Sequence, residues 1–318
     1  MRQKHSYQKG GTSQMLRKGG LLDEYLQSLT GRTASTIETY RRELGQLLHW
    51  ISQRPGNNRR FRADQLTATA LETYLAELGS KGHSISHRAR VKSAVGGFAR
   101  WLIEEKALLR RNPARRVTLP PHPLRAPREL AADQRYVLRS LVEREEDCRG
   151  AALFALGYWA GCRVSDVAWL RAEDVHLGPK VGWIHVGHKG GKERDLDLLH
   201  AVRKPLYDYL REGGRDPDSP YVFTSQRAER LSEAGIHHWF RTLKGRANKK
   251  EWDLIHDVTY HDLRHDWAHR ARQAGWSLEE VAYYLGHVTR KGTPAIQTTA
   301  RYTQLSRAAV KQKLHLLS

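Results

Sequence analysis

Six side chains in the second half of this sequence have the types that phosphate chemistry uses. Arg163 lies in GYWAGCRVSDVAWL (157–170) and Lys189 in GHKGGKERDLDL (187–198). His261 and Arg264 lie in HDLRHDWAHRARQAG (261–275), His287 closes LGH (285–287), and Tyr302 lies in RYTQL (301–305). A guanidinium grips two oxygens of one phosphate at once, which an ammonium does less well. His261 precedes Arg264 by about one helical turn, so the two share a helix face, and its imidazole exchanges protons near neutral pH. A tyrosine hydroxyl, with a free pKa near ~10, needs a base or a positive field before it attacks anything. Asp166 stands three residues after Arg163, placed to orient Arg163 or His261 and not to react itself.

Taken singly, these signals are weak. Arg163 is one of many arginines, and Lys189 competes with Lys192 at the same turn. His261, His265 and His269 at fourfold spacing invite a zinc site, but no Glu follows His261 in the HExxH manner and partners at ligand spacing are lacking, so no metal is expected. The glycines of 187–192 do not make a phosphate loop, because the spacing is short and Glu193 stands where Ser or Thr is needed. Tyr283 and Tyr284 compete with Tyr302; they sit in an apolar-periodic helix, where a core role suits them better.

The whole chain narrows the choice. It has 318 residues, enough for roughly two domains of about 150 residues. Lys and Arg number 54 against 34 acidic residues, a net charge of +20, which points to a polyanionic partner. The 39% hydrophobic content is that of an ordered protein. No apolar run approaches the ~20 residues that cross a bilayer, and the basic N-terminus is followed by no apolar stretch, so no signal peptide is expected. Two cysteines, Cys148 and Cys162, give neither a disulfide framework nor a zinc pattern, and a reduced, cytoplasmic setting is the natural reading.

The elements that must position these residues are mainly helical. Residues 1–18 read as a flexible basic tail, and 19–111 as a helical domain. Its second helix opens on Ser35 and Glu38 as a capping box. Its fourth, over 86–105, turns His87, Arg88, Arg90, Lys92 and Arg100 away from Val91, Ala94, Val95, Phe98, Trp101 and Leu102. On an isolated helix those cations read as a solvated face; with the net charge of this chain a DNA-facing surface is at least as good a reading. Residues 112–128, NPARRVTLPPHPLRAPR, hold five prolines and predict an extended basic linker, with Arg115 and Arg116 able to track phosphates. Residues 129–318 form a second, largely helical domain with one β-hairpin, strands 181–188 and 193–198, around Lys189 to Lys192.

Four local patterns in fixed order, with the hairpin and the helical first domain, resemble the tyrosine site-specific recombinases of the phage integrase family. The resemblance covers nearly the whole chain after the tail. It implies a helical core-binding domain before an α+β catalytic domain. It implies that Tyr302 attacks a DNA phosphodiester to give a 3′-phosphotyrosine, while Arg163 and Arg264 hold the non-bridging oxygens. His287 then adds a hydrogen bond to the phosphate, and Lys189 protonates the departing 5′ oxygen. It further implies no cofactor, double-stranded DNA as partner, four copies on two sites, and room for accessory DNA-bending proteins.

Two features depart from the pattern. Tyr302 follows His287 by 15 residues, a longer interval than usual, across a basic segment with Gly292 and Pro294 that reads as a long loop. Around Gly161, Ala160 and Cys162 replace a more usual small polar and aliphatic pair; Cys162 reads as a packing residue. Rival readings are a type IB topoisomerase of the same chemistry without site choice, a DNA-binding protein with a decayed site, and a basic RNA- or membrane-surface protein. The last accounts for the charge but not for the four patterns.

Overall fold

The structure, a computed structural model, describes residues 20–121, 127–188, 193–212, 215–289, 293 and 295–300. The tail 1–18, the hairpin tip with Lys189 and Lys192, and Tyr302 lie outside the described residues. The chain divides into two compact units, 1–123 and 124–318.

In the first unit the apolar stripes seen in the sequence close on one another. Helices α1 (Leu21–Ser28), α2 (Ala34–Ser52), α3 (Ala68–Ser80) and α4 (Ile85–Glu104) bury Leu44, Leu47, Leu71, Ala94, Phe98 and Leu102 completely. Each large side chain so buried contributes about 1.5–3 kcal/mol from removal of apolar surface from water. The expected cap of α2 is corrected. Thr33, not Ser35, caps the helix, its Oγ1 accepting from Thr36 N at 3.3 Å, so Ser35 and Glu38 already lie inside the first turns.

The start of the expected extended linker is folded. Asn112 Oδ1 accepts from Ala114 N at 3.0 Å and opens a 3₁₀ turn over Pro113–Arg115, while its Nδ2 donates to Gly96 O at 2.8 Å. Proline at the first position suits such a turn, since its missing N–H has no partner there anyway. Ala114 and Val117 are buried in the core of this unit, which leaves Arg115 and Arg116 exposed.

The second unit is built around α6 (Cys148–Tyr158), whose residues 150 and 152–158 are all buried. It packs on α5 (Ala132–Glu145), α8 (His200–Glu212) and α11 (Tyr260–Gln273), and Tyr260 Oη donates to Leu153 O at 2.6 Å. Between α7 (Val164–Ala168) and α8 lies an antiparallel sheet of three strands, β1 (Val175–Leu177), β2 (Gly182–Val186) and β3 (Arg194–Asp197), in the order β1-β2-β3. The hairpin expected in the sequence is β2–β3. Strand β1 is too short to show a period of two. Helices α9 (Glu233–Lys244) and α10 (Lys249–Ile255) lead into α11, and α12 (Leu278–Leu285) follows it.

Helix α11 is fixed from behind by a buried carboxylate. Asp266, fully enclosed, accepts from Leu130 N at 3.0 Å, Arg135 Nε at 2.9 Å and Arg270 Nε at 2.9 Å. A buried charge with this many charge-assisted donors is satisfied, and removing one partner would leave it exposed to the full desolvation cost. The segment after His287 is not wholly a loop: Thr289 N donates to Thr293 O at 2.8 Å, Ala295 N to His287 O at 2.5 Å, and Ile296–Thr299 form a helical turn, α13.

Candidate active site

The site begins at a glycine. Gly161 has φ +60°, and a Cβ there would stand 3.0 Å from the Trp267 ring and 3.2 Å from Leu285. The left-handed backbone and the close approach both call for glycine. Its carbonyl accepts from Arg264 Nη1 at 2.7 Å. Two residues on, Arg163 caps α7: its backbone N donates to Asp166 Oδ2 at 3.1 Å.

The end of α12 supplies the other wall. Gly286 closes the helix at φ +62°. Leu285 O accepts from Arg264 Nη2 at 2.6 Å, and Gly286 O accepts from Arg163 Nη2 at 2.9 Å. Arg264 is 2% exposed, so its guanidinium is both desolvated and fixed in plane by these carbonyls. Arg163 and Arg264, remote in sequence, are thereby held on adjacent carbonyls of one helix end.

His287 completes the cluster. Arg264 Nη2 lies 3.2 Å from His287 Nε2, and His287 Nδ1 lies 3.0 Å from Thr299 Oγ1. A guanidinium has no acceptor, so Nε2 accepts, the proton of the neutral ring sits on Nδ1, and Nδ1–H donates to Thr299. Thr299 is fully buried. Nothing in the sequence pointed to it, because its helical turn reads as loop.

His261 occupies the first turn of α11, with its ring 4.3 Å from that of His265 at 78°. Lost hydration first, and then the charge of Arg264, disfavour its imidazolium and lower its pKa below the ordinary 6.5; Arg163 acts in the same sense, while Asp262 opposes it. The ring is therefore in its neutral, proton-accepting form at neutral pH. His269 points elsewhere, its Nε2 2.8 Å from Pro127 O.

Asp166 binds Arg163 and a residue the sequence reading missed. Arg194 Nη2 donates to Asp166 Oδ2 at 2.9 Å, and Arg194 Nε donates to Tyr284 O at 2.9 Å. A signal was present: Arg194 shares its strand face with the buried Leu196, so period two turns it inward. The tyrosine competitors separate. Tyr284 stacks on Trp267 at 4.4 Å and burial pushes its phenol up, but Tyr283 is 75% exposed and is not a core residue. Helix spacing sends Val281, Ala282 and Leu285 inward and leaves 283 outside.

In the first unit the α4 cations do not form one face. Arg90 is exposed, whereas Arg88 and Lys92, one turn apart, are partly buried, and Arg88 Nη1 lies 2.8 Å from the Cβ position of Gly79.

Known proteins resemble this chain in sequence and in fold. Residues 21–106 match the phage integrase N-terminal SAM-like domain, and residues 129–308, more than half of the chain, match the phage integrase family. The chain belongs to the phage integrase family. As a tyrosine recombinase it is an enzyme of DNA strand cleavage and rejoining. It is 29% identical over 288 residues to tyrosine recombinase XerC of Neisseria gonorrhoeae, covering 89% of this chain and 90% of that protein. It is 26% identical over 302 residues to tyrosine recombinase XerD of Vibrio cholerae, covering 92% and 94%. The fold is shared with the Tn1549 transposon integrase solved with circular intermediate DNA, at a TM-score of 0.71 and 16% identity over 92% of this chain and 97% of that one. It is also shared with a lambda integrase tetramer solved on a Holliday junction, at a TM-score of 0.65 and 18% identity over 90% and 78%. Among the described residues of this recombinase, no helix is long and apolar enough to cross a membrane.

Proposed function

We propose that this recombinase cuts each strand of a specific duplex site with Tyr302 and rejoins it to a partner strand. The observation that carries the reading is the joint seating of Arg163 and Arg264 on the carbonyls of Gly286, Leu285 and Gly161, with His287 alongside. Two fixed guanidiniums suit the two non-bridging oxygens of a phosphodiester whose negative charge grows as a fifth ligand approaches.

The Tyr302 oxygen attacks phosphorus, the P–O5′ bond breaks, and a 3′-phosphotyrosine retains the bond energy for rejoining. His261, in its neutral form, accepts the phenolic proton. Lys189 gives its proton to the departing 5′ oxygen, with Lys192 as its neighbouring competitor. When the phosphate draws on Arg264, His287 Nε2 is released, takes a proton from solvent and donates it in a hydrogen bond to the phosphate. Asp166 holds Arg163 and takes no part in proton transfer. No step calls for a metal.

The helical first domain also contacts the DNA, with Arg90, Arg115 and Arg116 on phosphates and Arg88 and Lys92 beside them. Four copies act on two sites, in keeping with the lambda integrase tetramer that shares this fold.

A nicked duplex bearing the true site, which traps the covalent adduct, tests the reading. Adduct should form with the parent protein in EDTA and be lost with Tyr302→Phe while DNA binding persists. Adduct from Tyr302→Phe would overturn the nucleophile, and inhibition by EDTA the metal-free mechanism. Arg115→Ala with Arg116→Ala should lower the salt dependence of DNA affinity by about one unit of logarithmic slope per residue.

A further inference from the structure

We propose that Arg194 is a positioning residue for the proton-donating lysine, tying the root of the β2–β3 hairpin to the carboxylate that also holds Arg163; this rests on Lys189 being the general acid. Among the described residues Arg194 forms the last pair of the hairpin ladder, opposite Val186, at the root of the tip. Its side chain is 10% exposed and crosses to the site wall: Nη2 donates to Asp166 Oδ2 at 2.9 Å, Nε donates to Tyr284 O at 2.9 Å, and Cδ stands 2.9 Å from where a Cβ of Gly286 would be.

Asp166 Oδ2 accepts at once from Arg194 and from the backbone N of Arg163, so one oxygen joins the hairpin root to the residue that would grip the phosphate. On the other root His188 Nε2 lies 2.6 Å from Asp174 Oδ2. His188 and Arg194, one on each root of the hairpin, are therefore both held by carboxylates.

Packing alone would not select this arginine. Its Nη1 is buried and has no hydrogen-bond partner among the described residues, which costs free energy that an apolar side chain on the same strand would avoid. What an arginine alone supplies here is a planar fork that reaches a carboxylate and a carbonyl in fixed directions, so the hairpin has one seating against Arg163.

Removing the need for a general acid tests this. In the ordinary substrate the Tyr302 Oη–P bond forms, the P–O5′ bond breaks, and the Lys189 proton goes to O5′. With sulfur at the 5′ bridging position the leaving group departs as a thiolate, whose conjugate acid has a pKa of about 8.5, and needs no proton. Single-turnover cleavage of both substrates is measured for the parent, Arg194→Lys and Lys189→Ala, with DNA affinity and melting as controls. We expect Arg194→Lys to slow cleavage of the ordinary substrate by up to about a hundredfold, within the range of general-acid catalysis, and the sulfur substrate to restore most of the loss, as for Lys189→Ala.

Restoration of Lys189→Ala but not of Arg194→Lys overturns the inference and leaves Lys189 as the acid. Restoration of neither overturns the assignment of Lys189 itself. Full activity of Arg194→Lys on the ordinary substrate also overturns the inference. If Arg194→Lys binds DNA or melts unlike the parent, Arg194→Met, which keeps the stem against Gly286, takes its place under the same outcomes.

Discussion

Arg264 donates from Nη2 to Leu285 O at 2.6 Å and reaches His287 Nε2 at 3.2 Å from the same nitrogen. One guanidinium nitrogen thus sets both the end of α12 and the tautomer of the histidine that follows it. The buried Nη1 contact to Gly161 extends the same hold to the loop before Arg163.

Arg264→Lys should therefore cost stability as well as activity. An ammonium cannot meet Gly161 O, Leu285 O and His287 together, and each buried acceptor left unmet costs about 1–3 kcal/mol. The melting midpoint should fall by several degrees, and adduct formation should drop by at least about a hundredfold, the scale seen when one preorganised donor is removed. A variant with unchanged melting would show that these contacts hold nothing together.

Thr299→Val keeps the shape of the buried side chain and removes the acceptor for His287 Nδ1–H. We expect cleavage to slow by about tenfold, equivalent to ~1.4 kcal/mol in the barrier, with DNA affinity unchanged. Thr299→Ser, which keeps the oxygen, should stay near the parent rate. Equal rates for Val and Ser would remove Thr299 from the site.

The pH profile follows from His261, whose pKa is lowered from 6.5. Below 6.5 the unfolded chain takes up this proton before the folded one, so the group's contribution to stability is complete above 6.5 and declines as pH falls through the window beneath it. The base form is the deprotonated one, so cleavage should be flat from neutral pH down to about 6.5 and fall only below that. His261→Gln should abolish the acid limb. A parent rate already falling between pH 8 and 7, as roughly bracketed by ordinary imidazole titration, would contradict the lowered value.

Gly161→Ala should be poorly tolerated. The left-handed backbone and the 3.0 Å approach to the Trp267 ring together predict a loss of roughly 1–3 kcal/mol, read by denaturant unfolding. The same change should reduce cleavage further than stability alone explains, because Gly161 O and Arg163 move together.

Much of this was legible in the sequence, for reasons that differ from residue to residue. The fourth helix, read over 86–105 from its apolar period, lies within a residue of its observed bounds, and Arg264 and His287 came from tight local patterns. The cap of α2 was misread because Thr33, Ser35 and Thr36 all have capping chemistry, and only the backbone says which stands outside the helix. Tyr283 was misread because a helix of eight residues gives too few turns to phase its faces. Arg194 and Thr299 were missed because their partners, Tyr284 O, Asp166 and His287, are remote in the chain or lie on the backbone. A carbonyl acceptor leaves no mark in a sequence, and three carbonyls make this site.

Those carbonyls also decide when the arginines lose their freedom. A mobile arginine gives up roughly 1.5–2 kcal/mol of rotamer entropy when it is immobilised. Arg163 and Arg264 are oriented by the chain's own carbonyls, Gly286 O, Gly161 O and Leu285 O. That loss is settled as the chain folds, so it no longer opposes the encounter with DNA, and attraction between guanidinium and phosphate is left to favour the stretched geometry of bond exchange.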